Sequence, residues 1–128
     1  MQEYKGKPLL VSYMGTPTPW NLEKAPWNDS RFTVRFMTGW ITEQPDLFDT
    51  NTRKSKYQYW SWEERGTQTF TVDAGFPEAM TVVPSWRPQN SPGESGYIPA
   101  GERNNGKTFK EQWARARFLG VLFAMVGT

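Results

Sequence analysis

Ten prolines, Pro8, Pro17, Pro19, Pro26, Pro45, Pro77, Pro84, Pro88, Pro92 and Pro99, constrain this chain more than any other feature. Each removes a backbone donor, fixes its own φ and pushes the residue before it out of the helical region. Few windows long enough for a helix remain, and one of them is the closing stretch TFKEQWARARFLGVLFAMVGT. The rest must be extended or irregular. Seven tryptophans, five tyrosines and eight phenylalanines argue against simple disorder. The expected picture is extended segments pinned by aromatic side chains against a small sheet or a partner.

With 128 residues there is room for one domain with a small core, or for a chain that borrows its core from neighbours. The chain has no cysteine and no histidine. That excludes disulfides, thiolate or imidazole zinc sites, and Ser-His-Asp or Cys-His catalysis, and it argues against a hydrolase. A net charge of +2 is no nucleic-acid footprint, so no nucleic-acid partner is expected. Asp46 and Asp49, and Glu63 and Glu64, form no recognisable acid/base pair and read as solvated surface. The glycines near Gly93 lack the Lys-Ser/Thr ending of a phosphate loop. MQEYKGKPLLVSYMG has neither a signal-peptide core nor an amphipathic presequence, so a targeting segment is expected to be absent or removed.

Four regions follow in order. Residues 1–30 read as an irregular aromatic strap, with Trp20 and Trp27 as anchors in two Pro-Trp pairs. Residues 31–83 read as a small β region. RFTVRFMTGWI alternates, with Phe32, Val34, Phe36 and Trp40 on one face and Thr33, Arg35 and Met37 on the other. KYQYWSW and TQTFTVDA are β-prone runs that EERG would join as a hairpin from Tyr57 to Val72, and EAMTVVPSW adds a short edge strand stopped by Pro84. Alternate aromatics in KYQYWSW suit a core, or less often a stacking platform. Residues 84–107 are a Pro/Gly-rich connector carrying Trp86, and 108–128 is the closing helix.

Thr108 followed by Glu111 has the spacing of a capping box, which predicts a helix from Phe109 to Val126, about 27 Å long. Lys110, Glu111, Gln112, Arg115 and Arg117 lie in its first turns, and its last turns carry no charge. A polarity that changes along the length suits a helix entering a membrane from a basic side, with Trp113 at the interface and Arg115 and Arg117 near lipid polar groups. Ala116, Gly120 and Ala124 recur every four residues, a spacing that lets helices approach closely in lipid. Only eleven residues follow Arg117, short of the roughly twenty that span a bilayer. The other reading is a terminal helix covering a small sheet of its own chain.

Upstream of that helix, PGESGYIPAG resembles the PGDxGFDPLG stretch that precedes the first membrane helix of the light-harvesting chlorophyll-binding family. It matches at Pro92, Gly93, Gly96, Pro99 and Gly101, with Glu94 and Tyr97 similar. The resemblance covers residues 92–126. It implies a helix whose opening carries chlorophyll ligands: with Arg117 at the family's arginine, Ala116 takes the small position, Arg115 the Asn/His ligand position and Gln112 the glutamate position. Arginine cannot ligate magnesium and a glutamine oxygen is a weaker ligand, which leaves at most one site, at Gln112 or Glu111.

The sequence thus predicts an α+β chain, mostly irregular and extended. Its parts are an N-terminal strap, a small antiparallel sheet of three or four short strands, and one C-terminal helix, membrane-associated or docked on a partner. The leading functional expectation is a non-catalytic accessory subunit of a large membrane assembly. By resemblance this is a photosystem–antenna complex at a thylakoid or plastid membrane, with protein subunits and membrane lipid as partners and chlorophyll as cofactor. Trp20, Trp27, Trp40, Trp86 and Trp113 would anchor partners. The alternative is a soluble β-rich binding or virion-type structural module whose helix packs on its own sheet.

Overall fold

The computed structural model describes residues 2–15, 27–39, 41–62 and 64–127. The fold is α+β: two small sheets, one helix near the C-terminus and long irregular connections. The first sheet has the order β1 (Glu3–Tyr4), β2 (Lys7–Tyr13), β3 (Thr33–Thr38), β4 (Trp60–Ser61). The second has the order β5 (Phe70–Asp73), β6 (Phe76–Val82), β7 (Phe123–Val126). Helix α1 spans Lys107–Leu119. The expected antiparallel sheet is replaced by mixed ones, since β2–β3, β3–β4 and β6–β7 are parallel. The strap expected over residues 1–30 contains β1 and β2; Trp20 lies outside the described residues, as does Trp40.

Parallel neighbours require crossovers, and a strand covered on both faces needs something on each side. Between β3 and β4 the crossover has two 3-10 turns, Ile41–Glu43 and Pro45–Leu47, instead of an α-helix. It folds Ile41, Leu47, Phe48 and Tyr59 over Phe36, with Val34 beside them. The alternation of β3 is as expected on this side. Its other face does not meet solvent: Arg35 is directed at Glu78 of the second sheet.

The hairpin expected over 57–72 is absent, because β4 and β5 belong to different sheets. The hairpin forms one strand later, between β5 and β6, where Ala74 and Gly75 both take positive φ (49° and 83°). Two central residues of that kind match the twist of the flanking strands, whereas among the described residues of EERG only Gly66 takes positive φ. β6 is therefore central in its sheet rather than an edge, and Ala79, Met80, Thr81 and Val82 are all buried.

The closing helix is shorter than expected and ends in a strand. Gly120 adopts φ 70° and donates to the carbonyls of Ala116 and Arg117, a left-handed cap that closes α1. Phe123–Val126 then pairs in register with Ala79–Val82. The capping box does not form: Thr108 lies inside the first turn and its hydroxyl donates to the Glu102 carbonyl. Polarity in α1 divides around the circumference after all. Thr108, Gln112 and Ala116 form its buried line, and Phe109, Trp113 and Leu119 join Met80, Val82 and Ala116 in a core with β6. Lys110, Glu111 and Arg117 stay outside. Of the expected small-residue stripe, Ala116 is core, Gly120 is the cap and Ala124 is in β7, so no common helix face exists. Among the described residues no helix is long and apolar enough to cross a membrane.

Aromatic packing, ion pairs and hydrogen bonds join the sheets, among them Lys5 and Arg35 with Asp73 and the Thr81 hydroxyl on the Ser61 carbonyl. Phe123 of β7 packs on Tyr4 and Trp60, with ring centroids 5.0 and 5.1 Å apart. Glu78 of β6, 3% exposed, receives Arg35 Nε (2.8 Å) and Nη2 (3.0 Å), Trp60 Nε1 (2.6 Å) and the Tyr4 hydroxyl (2.8 Å). Burial alone would raise the Glu78 pKa, but the hydrogen bonds from Arg35, Trp60 and Tyr4 outweigh it and hold the carboxyl below its usual range. The same contact, after burial, helps push the Tyr4 hydroxyl up to about 12.

Candidate binding cleft

The loop from Glu64 to Thr69, between β4 and β5, is held from the side of α1 by amides. Gln112 donates to the Gly66 carbonyl (3.0 Å) and accepts from Val83 N–H (3.3 Å), while Gln68 donates to the Gln112 carbonyl (3.1 Å). Arg115 of α1 also donates to the Gln68 carbonyl (3.3 Å), and from the other side Arg53 donates to that of Thr67. A cavity of about 330 Å³ lies between this loop, Trp86 and α1. Another, of about 270 Å³, lies on the far side of Gly66 and Thr67, lined among others by Arg53, Arg65, Gln89 and Tyr97.

Arg53 is the most constrained side chain here. Its backbone sits at φ 67°, a left-handed conformation that costs a non-glycine residue about 1 kcal/mol. It is kept there by Arg53 N–H to the Asp49 carbonyl (2.7 Å) and Phe70 N–H to the Arg53 carbonyl (3.1 Å). Its guanidinium lies 4.7 Å over the Phe48 ring. Arg53 makes no ion pair among the described residues. Burial lowers its pKa, with Glu64 acting to raise it and the nearby Arg115 to lower it further. Burial also lowers that of Arg115.

Four buried polar side-chain atoms among the described residues have no hydrogen-bond partner: Arg53 Nε, Glu64 Oε2, Gln89 Oε1 and Arg115 Nε. Three belong to residues lining these two cavities, and the fourth to the residue before Arg65. Glu64, read from sequence as solvated, is 1% exposed. Burial raises its pKa, although the hydroxyls of Thr69, Ser61 and Thr42 pull the other way. It is therefore a poor counter-ion for Arg53.

The residues chosen from sequence are scattered. Gln112 is buried with its carboxamide engaged at both ends, Oε1 by the Val83 N–H and Nε2 by the Gly66 carbonyl. Glu111 is exposed, 3.9 Å from Lys107. Arg115 belongs to the cleft and Arg117 is exposed on the helix. Trp113 is part of the helix–sheet core, and Trp27 meets Phe36 edge-on at 5.3 Å. Trp86 is held by its Nε1 on the Pro99 carbonyl (2.9 Å) and by a close approach of Gly101, where a Cβ would fall 2.2 Å from the indole. This bracket explains the turn motif locally, because Trp86 and Gly101 also pair through their backbones. KYQYWSW is mostly core: Tyr59 and Trp60 are buried, and Trp62 is 46% exposed. Arg53, which organises the cleft, carries no sequence signal beyond lying in a polar turn. No family model, curated protein or solved structure matches this chain.

Proposed function

We propose that the chain is a non-catalytic β-rich binding module, with its C-terminal helix packed on its own sheet and its ligand site beside the loop at Gly66–Thr67. The observation that carries this reading is Arg53, a strained arginine stacked on Phe48, without an ion pair among the described residues and lining a concave cleft. Positions held at such a cost are characteristic of sites that bind. Glu78 supports a role other than acid/base catalysis, since Arg35, Trp60 and Tyr4 already engage its carboxylate. An accessory subunit docked by its terminal helix would need that helix's apolar face free, whereas Trp113, Ala116 and Leu119 are spent on the chain's own core.

Expression of residues 1–128 alone tests the reading. The expected outcome is a monomer in detergent-free buffer with one cooperative unfolding transition seen equally by tryptophan fluorescence and circular dichroism. Recovery only with detergent, lipid or a partner chain would overturn it in favour of the membrane-assembly subunit.

A further inference from the structure

We propose that the cavity between Trp86, the Gly66–Thr67 loop and α1 takes a neutral sugar ring, stacked on the Trp86 indole and held through its hydroxyls by Glu111 and Arg115. The inference rests on the binding-module reading; it chooses the helix side of that loop and names the ligand class. Three observations lead to it.

Trp86 is a fixed platform with one face spare. A Cβ on Gly101 would fall 2.2, 2.3 and 2.4 Å from Cε2, Cζ2 and Cδ2 of the indole. Both Cζ2 and Cδ2 are bonded to Cε2 at the ring fusion, so a point that close to all three lies above the ring plane, and Gly101 covers one face. The edge is tied as well, by Nε1 on the Pro99 carbonyl (2.9 Å), and the backbones of Trp86 and Gly101 exchange hydrogen bonds of 2.9 and 3.1 Å. Trp86 is nevertheless only half-buried and lines the cavity, which leaves the second face toward it. An indole already held in place gives up little further freedom on binding. The negative face of the ring suits the weakly positive axial C–H bonds of a pyranose.

The helix supplies an acceptor and a donor one turn apart. Glu111 and Arg115 both line the cavity, and their four-residue spacing sets them one above the other on α1. Arg115 donates to the Gln68 carbonyl, and the Glu111 carboxylate meets Lys107 at 3.9 Å, with no ion pair between Glu111 and Arg115. The Glu111 side chain is 68% exposed and its two oxygens are open to hydroxyl donors, while a guanidinium carries five N–H groups. Neighbouring sugar hydroxyls, which donate and accept at once, can use both.

Charge and size complete the match. The described lining holds one carboxylate and one guanidinium, so it favours a neutral ligand over an ion. Its volume of about 330 Å³ falls among small-molecule sites, roughly 300–1,000 Å³.

The test is a titration of the ¹⁵N-labelled chain with methyl β-glucoside, methyl β-galactoside, methyl α-mannoside and adenosine. Saturable shifts of the Trp86 indole N–H and of the Gly66, Thr67 and Glu111 amides are expected with at least one glycoside. The ring C–H protons of that glycoside should move upfield under the indole ring current. Glu111→Gln, a change at an exposed side chain, should weaken its binding about tenfold. Lys110→Gln, exposed on α1 and outside the lining, should bind it as wild type does. Unchanged affinity in Glu111→Gln, or binding without the upfield shift, overturns the proposal. Adenosine acting as strongly as the glycosides overturns the sugar class, and shifts centred on Gln89 and Tyr97 put the ligand in the cavity beside Arg53 instead. Both of those results leave the binding module standing. If none of the four probes moves these resonances, the proposal falls, and the monomer test decides separately whether the fold is self-contained.

Discussion

Replacing Glu78 with glutamine keeps the side-chain shape and removes the charge that Arg35 faces. The Glu78 side chain is 4% exposed and that of Arg35 17%, so the guanidinium would be left in a largely dry place with Asp73, 3.8 Å away, as its remaining carboxylate. Breaking a buried pair from one side costs about 3 kcal/mol, and Glu78→Gln should lower the urea midpoint accordingly with the m-value unchanged. A midpoint equal to wild type would mean that Trp60 and Tyr4 hold the sheets together without the ion. The alternation that places Arg35 opposite Phe36 is readable in RFTVRFMTGWI. That the Arg35 side is interior is not, because it depends on a sheet formed from residues 70–126. Glu64 was misread for the same reason: nothing in EERG distinguishes a carboxyl tucked under Thr69 from one in water.

At the scale of elements, Gly120 decides where the helix stops. A Cβ there would meet no atom within 4 Å, so Gly120→Ala introduces only the left-handed backbone penalty, about 1 kcal/mol. The same loss measured by thermal and by urea unfolding, with helix content unchanged in circular dichroism, is the expected result. A longer helix in the variant, at the expense of β7, would show that cap and strand compete. Gly120 falls in register with Ala116 and Ala124, so a four-residue spacing and a helix stop read identically in the sequence. What separates them is the free edge of β6, which offers Phe123–Val126 backbone partners that solvent or lipid cannot.

For the whole molecule, two buried carboxyls set opposite pH dependences. Glu78, with its folded pKa depressed, adds stability above the unfolded carboxyl value of about 4.3 and loses it as pH falls through the folded value. Glu64, with its folded pKa raised by burial, adds stability that is complete below about 4.3 and lost as pH rises through its folded value. The chain should therefore lose stability on both sides, and Glu64→Gln should remove the decline on the alkaline side alone. Urea midpoints of both proteins at pH 5 and pH 8 check this; parallel declines would show that Glu64 ionises freely in the folded state. Tyr4 adds a second loss between about pH 10 and 12, where its hydroxyl ionises in the unfolded chain before the folded one.

The α+β class, the alternation at Thr33–Thr38, the turn-rich connector and a helix before the apolar end are legible along the chain, because they follow from φ restriction, side-chain period and turn residues acting within a few positions. Long-range contacts set the rest: three strand pairings are parallel, the apolar end is a strand and Gln112 brackets a loop. They alone brought Arg53 and Arg115 to either side of Gly66–Thr67. Those outcomes depend on which backbone edges and polar atoms are left unpaired once distant segments meet, and local sequence does not encode that.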